Sequence, residues 1–252
     1  MQDRNGTRRG LSRRGFGAAL SALPAIAQTA GPPPAPGPGS FPLPPLMPSG
    51  LRIGNGMGAD TSYEQMRMQA RLGVEYASSG AARLQDASRE RLLEVRRKFE
   101  SAGIRLFNFR VEELHNCVPI VLGTPERDRH IEMFKTHLRN CGAAGIHYIT
   151  YAHNANITIP AYYQTGTAYT RGDVATREFD GEAGARLPQS HGRVYTSDEL
   201  WETFTHFVRE VMPVAEEAGV RIGVHPDDPP MPSLGGIARL FINVEAYRKA
   251  IR

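Results

Sequence analysis

Cysteine is scarce in this 252-residue sequence, which contains two, and there is a single tryptophan. The helical pattern places Cys117 in a loop before a helix and Cys141 at the far end of that helix. About 17 helical residues span roughly 25 Å, whereas the Cα atoms of a disulfide lie within about 7 Å of each other. We therefore expect two free thiols. The sequence also lacks an apolar run long enough for a membrane-spanning helix.

An excess of positive charge is missing once the amino terminus is set aside. Five of the 30 Lys and Arg residues, but only one of the 26 Asp and Glu residues, lie in residues 1–27, so the rest of the chain carries 25 of each sign. A balanced chain gives no reason to expect a basic surface for nucleic acid. The partner we expect is instead a small molecule.

The first 48 residues have the composition of a targeting segment and a linker. Basic residues precede an apolar run at 16–26, and Arg13-Arg14 resembles the twin-arginine export motif. Ala25-Ile26-Ala27 offers a cleavage site. We therefore expect residues 1–30 to be an export signal that directs the protein to the periplasm, with a cytoplasmic location as the alternative. The nine prolines of residues 31–48 indicate an extended linker, which leaves residues 49–252 as the folded domain.

Predicted strands and helices alternate from residue 51 onward. The same junction occurs four times, at Gly73, Gly103, Gly145 and Gly219, where a helix ends in a glycine and a strand follows. This repetition is typical of β/α units with a parallel sheet. No Gly-x-Gly-x-x-Gly follows the first strand, which disfavours the rival doubly wound dinucleotide-binding fold. The pattern favours a (β/α)8 TIM-barrel type, of which about the first five units are present.

Local signals mark the ends of two helices. Thr61-x-x-Glu64 and Thr196-x-x-Glu199 have the spacing of capping boxes, in which the two side chains bond reciprocally to backbone amides. They predict helices over about residues 61–72 and 196–218. Pro213 predicts a kink in the second of these, because proline removes a helical hydrogen bond.

Residues 219–236 carry the strongest functional signal. A short apolar strand ends on His225, and Pro226, Asp227 and Asp228 follow, with further prolines behind them. In parallel α/β folds, the loops at the carboxyl ends of the strands carry the chemistry. A stiff loop that presents an imidazole and two carboxylates at a strand end therefore predicts a functional site.

The polar stretch at residues 152–195 is the second candidate region. A loop of this length is unusual in a compact domain unless it binds something. An arginine fork matches a carboxylate, so we expect Arg171 to bind substrate and Tyr169 to line the same pocket; a solvated position on the loop is the alternative. We expect four further polar residues in loops on this side to lie at the surface, namely Glu112, His115, His153 and His191.

The segment His225-Pro-Asp-Asp-Pro-Pro resembles the mannonate dehydratase family, a barrel of the xylose-isomerase-like group. The specific similarity covers residues 211–239, and looser similarity covers roughly residues 50–245. The resemblance implies a lyase that removes water from D-mannonate to give 2-keto-3-deoxygluconate in hexuronate catabolism. It implies Mn(II), with Fe(II) or another divalent cation as the alternative, and His225 as a metal ligand. The other implied ligands, a Cys, a second His and an Asp, belong to later strands, beyond residue 252.

The two aspartates are the catalytic candidates. Asp227 or Asp228 is expected to hold the second nitrogen of His225 or to position a water; capping the following turn is the alternative. Two rival functions remain open, a sugar isomerase or epimerase of the same group and a non-catalytic periplasmic sugar-acid-binding protein. An unfinished barrel leaves strand edges open, which predicts an unstable or self-associating chain.

Overall fold

The computed structural model describes residues 51–156 and 159–251. The expected export signal and linker lie outside these residues, so both remain predictions. Within the described ranges, none of the helices combines the length and the apolar character needed to cross a membrane.

The described part of the chain forms an α/β domain. Its strands are β1 (Gly54–Gly56), β2 (Tyr76–Ala81), β3 (Arg105–Val111), β4 (Tyr148–Tyr151), β5 (Gly166–Tyr169), β6 (Ala175–Glu178), β7 (Arg221–Val224), β8 (Ser233–Leu234) and β9 (Ile237–Ala238). Its α-helices are α1 (Tyr63–Arg71), α2 (Arg89–Ser101), α3 (Glu112–His115), α4 (Val118–Leu122), α5 (Arg127–Ala143), α6 (Gly181–Ala185), α7 (Ser197–Ala218) and α8 (Val244–Ile251). Single 3-10 turns lie at Leu84–Ala87 and Pro160–Tyr162.

The barrel strands run parallel in the order β1, β2, β3, β4, β7. Parallel pairing joins β1 to β2 to β3, and separately joins β4 to β7. Side chains bridge β3 and β4, because Asn108 Nδ2 lies 3.4 Å from Thr150 Oγ1 and the rings of Phe107 and Tyr148 stack with centroids 5.9 Å apart. Five parallel strands linked by helices form an open barrel among the described residues, which confirms the predicted fold class.

The hydrophobic core lies between these strands and the helices outside them. Helices α2, α5 and α7 each bury one stripe of apolar side chains at helical spacing. The stripes of α5 and α7 meet β4 in an aromatic cluster, in which Phe207 packs on Tyr151 and Phe134 at centroid distances of 4.3 and 5.0 Å. Cys117 and Cys141 are both buried in this core as free thiols, as the sequence predicts.

The four glycine junctions adopt the conformation that the sequence implies. Gly73, Gly103, Gly145 and Gly219 have φ values of 91°, 85°, 72° and 65°. Residues other than glycine rarely adopt this left-handed backbone conformation. Each junction therefore turns a helix end directly into the next strand.

Only one of the two predicted capping boxes is correct. Thr196 and Glu199 form the predicted reciprocal cap of α7, and that helix continues through Pro213 to Ala218. Helix α1 is capped by Ser62 and Gln65 instead of Thr61 and Glu64. Thr61 belongs to the preceding turn, where its amide donates to the Gly58 carbonyl at 3.0 Å. The two overlapping motifs have the same spacing, so the sequence alone does not distinguish them. The turn that ends at Thr61 determines that Ser62 is the cap.

Candidate active site at the strand ends

A polar cleft of about 350 Å³ opens at the carboxyl ends of β3, β4 and β7. His225 forms one wall, in the loop that follows β7. The opposite walls come from the segment after β3 and from the β5–β6 hairpin. The remaining lining residues are Arg110, Glu112, His115, Asn116, Ala152, Asn154, Tyr163, Arg177, Pro226 and Asp228.

His225 is held by its backbone and exposes its ring. Its amide donates to the Tyr151 carbonyl at 2.7 Å, which ties the end of β7 to the end of β4. The ring Nδ1 lies within hydrogen-bonding distance of the Pro226 carbonyl, so Nδ1 carries the proton. Nε2 therefore keeps its lone pair. This arrangement is the one in which metal-binding histidines are usually held.

His115 is a second cleft histidine, and the expectation that it lies at the surface is wrong. The side chain is buried at the end of α3, and its Nδ1 donates to the Thr150 carbonyl at 3.1 Å. Burial lowers the pKa of His115, which keeps the ring neutral at pH 7. Its ring meets that of His225 edge to face, with centroids 6.2 Å apart. No sequence pattern indicates this contact, because α3 is a four-residue helix without a recognisable motif.

The residues present fit a metal ion only in part. His225 supplies an imidazole nitrogen with a free lone pair, which suits a divalent transition metal. Within residues 51–156 and 159–251, however, no group of three or more His, Cys, Asp and Glu side chains is placed to hold an ion. His225 therefore fits as one ligand, and the described residues do not complete a coordination sphere.

The two aspartates of the loop lie in different environments. Asp227 is buried outside the cleft lining, and its Oδ2 accepts from the Phe241 amide at 2.8 Å. Burial raises the pKa of the Asp227 carboxyl, while the Phe241 amide and Arg239 act in the opposite direction. Asp228 lines the cleft instead, with its Oδ2 3.5 Å from Nη2 of Arg177. The structure thus brings Asp228, and not Asp227, together with His225.

The predicted substrate residues lie outside the described cleft lining. Tyr169 ends β5 with 72% of its surface exposed, and Arg171 follows in the exposed hairpin turn. The hairpin contributes a different arginine to the cleft, Arg177 of β6. Glu112, expected at the surface, is exposed but lines the same cleft, where it pairs with Arg110.

His153 lies behind the cleft and is buried, so its expected surface position is also wrong. The Thr203 hydroxyl lies 2.8 Å from the Val121 carbonyl and donates its proton there, so it accepts from His153 Nε2 at 3.1 Å. Nδ1 then accepts from the Tyr151 hydroxyl at 2.7 Å. Burial lowers the pKa of His153 to about 3, so the ring is neutral. This network supports the cleft wall from within.

A larger cavity, of about 570 Å³, lies between α7, β7 and α8. Its lining residues are apolar and aromatic, among them Phe204, Val211 and Ile222. Because this lining has no charged side chain, the cavity does not suit an anionic sugar acid. The polar cleft is the better candidate for catalysis.

Comparison with known proteins points to one family. The family model described as D-mannonate dehydratase (UxuA) matches residues 190–252, which include α7, β7 and the His225 loop. The mannonate dehydratase of Streptococcus pneumoniae is 28% identical over 183 residues, covering 64% of this chain and 49% of that protein. That of Streptococcus agalactiae is 28% identical over 189 residues, covering 66% and 53%.

The fold agrees with a solved relative. The crystal structure of the mannonate dehydratase from Streptococcus suis matches with a TM-score of 0.65 and 24% identity, covering 80% of this chain and 60% of that chain. This likeness shows a shared barrel fold. The chain spans about half the length of the curated relatives that it matches.

Proposed function

We propose that this chain is a member of the mannonate dehydratase family and acts as a metal-dependent hydro-lyase on D-mannonate, supported by the family model that matches residues 190–252 and by a relative that is 28% identical over 183 residues. The product would be 2-keto-3-deoxygluconate, formed in hexuronate catabolism. One observation carries the proposal. His225 presents a free Nε2 lone pair in a polar cleft at the strand ends, beside the charged side chains of Asp228 and Arg177.

The reaction removes a proton from C2 and a hydroxide from C3. The C2 proton is poorly acidic, because the neighbouring carboxylate already carries negative charge. A bound divalent cation, Mn(II) or alternatively Fe(II), would supply stabilisation of the negative charge that develops beside the carboxylate. Among the described residues, His225 is the one that would hold this ion, through Nε2.

The other cleft residues bind and orient. His115 has its Nδ1 proton fixed on the Thr150 carbonyl, so its remaining ring nitrogen, Nε2, is an acceptor for a substrate hydroxyl. Asp228 lies against Arg177 at the cleft rim. Asp227 holds the loop from beneath through its contact with the Phe241 amide. This division of roles supports a positioning role for Asp227 and a substrate-facing role for Asp228.

Two assays test the proposal. Mn(II) binding is measured by isothermal titration calorimetry for the wild-type chain, for His225→Ala and for the control His130→Ala, a helix residue outside the cleft lining. We expect His225→Ala to lose Mn(II) binding and the control to keep it. Incubation with D-mannonate and Mn(II), followed by mass spectrometry, should show loss of one water.

Either of two results would contradict the proposal, namely Mn(II) binding that is unchanged in His225→Ala or D-mannonate that stays intact. Conversion of D-mannonate to an isomer of equal mass would support the isomerase or epimerase alternative. Metal-free binding of D-mannonate without turnover would support the binding-protein alternative.

We also propose that residues 1–30 direct export, on the basis of the twin arginines and the apolar run that follows them. A reporter fused to these residues should reach the periplasm. Substitution of both Arg13 and Arg14 by lysine should keep it in the cytoplasm. A reporter that stays in the cytoplasm with the unaltered segment would contradict export.

A further inference from the structure

The β5–β6 hairpin extends one arginine, Arg177, into the wall of the cleft that contains His225. In the hairpin register, Arg177 lies opposite Thr167. Its guanidinium carbon lies 5.4 Å from the centre of the Tyr163 ring, and its Nη2 lies 3.5 Å from Asp228 Oδ2. Asp228 belongs to the same loop as His225. The arginine therefore connects the hairpin to the loop that carries the proposed metal ligand.

Arg177 and Arg110 are the two arginines of the cleft, and they differ in the use of their donors. Arg110 places Nε 2.8 Å from one oxygen of Glu112, and its Nη2 contacts the same oxygen. The guanidinium of Arg177 lies over the Tyr163 ring and forms a long ion pair with Asp228, and within the described ranges it has no shorter side-chain hydrogen bond. A guanidinium has five N–H donors in a planar fork. The N–H donors of Arg177 are therefore available to bind a ligand, whereas Nε and Nη2 of Arg110 are bound to Glu112.

The charges of the cleft indicate that an anionic ligand would be recognised by hydrogen-bond geometry more than by net charge. Arg110 and Arg177 are balanced by Glu112 and Asp228, so these four side chains sum to zero. An anion gains little from a neutral cleft, but two parallel N–H donors recognise a carboxylate by shape as well as by charge. Tyr163 and Asp228 hold the guanidinium without using its hydrogen bonds. The guanidinium of Arg177 can therefore present two parallel N–H donors to a planar carboxylate.

We infer that Arg177 receives the carboxylate of the substrate and so selects sugar acids over neutral sugars. The inference rests on the proposed function and assigns a specificity residue to it. A carboxylate has two oxygens with about four lone-pair positions, so it can accept both parallel N–H donors of the arginine fork. Arg171, which the sequence favoured for this role, lies outside the cleft lining.

Calorimetric titration of the full chain in the presence of Mn(II) tests this assignment. The ligands are D-mannonate and D-mannitol, which replaces the carboxylate by a hydroxymethyl group. We expect Arg177→Gln to weaken D-mannonate binding by about 10- to 100-fold and to leave D-mannitol binding unchanged. Arg177→Lys should also lose affinity for D-mannonate, because a point charge cannot replace the fork. Arg186→Gln is the matched control, since Arg186 is an exposed arginine outside the cleft lining whose guanidinium pairs with Glu182.

The outcomes separate the inference from the proposed function. If the wild-type chain binds D-mannonate and Arg177→Gln binds it equally well, the inference is wrong and the proposed function stands. If Arg171→Gln loses affinity and Arg177→Gln does not, the carboxylate contact belongs to Arg171. If the wild-type chain does not bind D-mannonate with Mn(II) present, the proposed function fails and the inference fails with it. An unchanged melting temperature of Arg177→Gln, whose side chain is 55% exposed, excludes misfolding.

Discussion

The carboxylate of Asp227 and the guanidinium of Arg239 form a buried ion pair, with Oδ1 and Nη1 3.6 Å apart. The two side chains are only 3% and 1% exposed. A second nitrogen of Arg239, Nη2, donates to Asn156 Oδ1 at 3.0 Å, so the pair also reaches the segment after β4. The proline-rich loop that carries His225 is therefore fixed from its buried side by charge.

Removal of Asp227 should destabilise the domain. Asp227→Ala leaves Arg239 buried without a counter-charge, and breaking a buried pair in this way costs about 3–5 kcal/mol. Asp228→Ala removes an exposed carboxylate and should change stability by less than about 1 kcal/mol. Urea unfolding followed by circular dichroism measures both variants. Equal stability of the two would contradict the buried-pair interpretation.

Stability should fall in mild acid because of two buried histidines. Burial lowers the pKa of His137 to about 4 and that of His153 to about 3, from an ordinary value of 6.5. Both rings stay neutral in the folded chain, while the unfolded chain takes up protons below pH 6.5. Stability is therefore fully present above about pH 6.5 and is lost as the pH falls toward 4 and 3. At pH 5 the loss should be about 2 kcal/mol for each histidine.

The variant His153→Asn isolates one of these contributions. The difference in unfolding free energy between pH 7 and pH 5 should shrink by about 2 kcal/mol, whatever the stability at pH 7. Tyr151→Phe is the control, because it removes a hydrogen-bond partner of His153 but keeps the titrating ring. It should lower stability at both pH values and keep most of the difference. If the difference in unfolding free energy between pH 7 and pH 5 is the same in His153→Asn and the wild type, the prediction is wrong.

Gly142→Ala should destabilise, although alanine normally stabilises a helix interior by about 1 kcal/mol over glycine. A Cβ at position 142, in α5, would lie 2.3 Å from the carbonyl oxygen of Ala218 and 3.0 Å from its Cβ. The close approach of α5 to the end of α7 therefore leaves no room, and overpacking of this kind costs about 1–3 kcal/mol.

Gly181→Ala is the matched control, because a Cβ there meets no atom within 4 Å and Gly181 is the first residue of α6. It should be neutral or stabilising by up to about 1 kcal/mol. The melting temperature of Gly142→Ala should fall, while that of Gly181→Ala should stay the same or rise. A stabilising Gly142→Ala would show that the helices can separate.

The cap of α1 gives a test between two adjacent residues. Ser62→Ala removes the side-chain oxygen that accepts from the Gln65 amide at 3.2 Å and should cost about 1 kcal/mol. Thr61→Ala changes a residue that precedes the cap and should cost less than about 0.5 kcal/mol. Thermal unfolding measures both. A larger loss of stability in Thr61→Ala than in Ser62→Ala would show that Thr61 is the cap, as the sequence predicted.

The parts of the fold that could be predicted depend on local chemistry. Glycine just after a helix commonly adopts the left-handed conformation, so four helix–glycine–strand junctions were enough to predict parallel β/α units. His225 could be found because a strand end followed by proline and carboxylates is informative without tertiary contacts. The catalytic roles expected for Asp227 and Asp228 stay predictions, and the structure places the two carboxylates in different environments. The sequence could not separate two adjacent carboxylates that the backbone turns to opposite sides.

The parts that could not be predicted depend on distant contacts. His115 is buried by Thr150, 35 positions along the chain. The strands β5 and β6 are almost entirely solvent-accessible and polar, so no apolar alternation marks them. Arg171 and Arg177 lie six residues apart in this hairpin. Only its turn and register show that Arg177 alone reaches the cleft.

The β5–β6 hairpin contributes no side chain to the hydrophobic core of the described domain. The hairpin contributes Arg177 to the cleft lining, whereas the apolar burial that stabilises the fold comes from the other strands and the helices. We therefore expect ligand preference and folding stability to be separable in this protein. Directed evolution of residues 166–178 should change the ligand that the cleft binds with little loss of thermal stability, whereas the same number of substitutions in the core-facing stripes of the helices should unfold the domain.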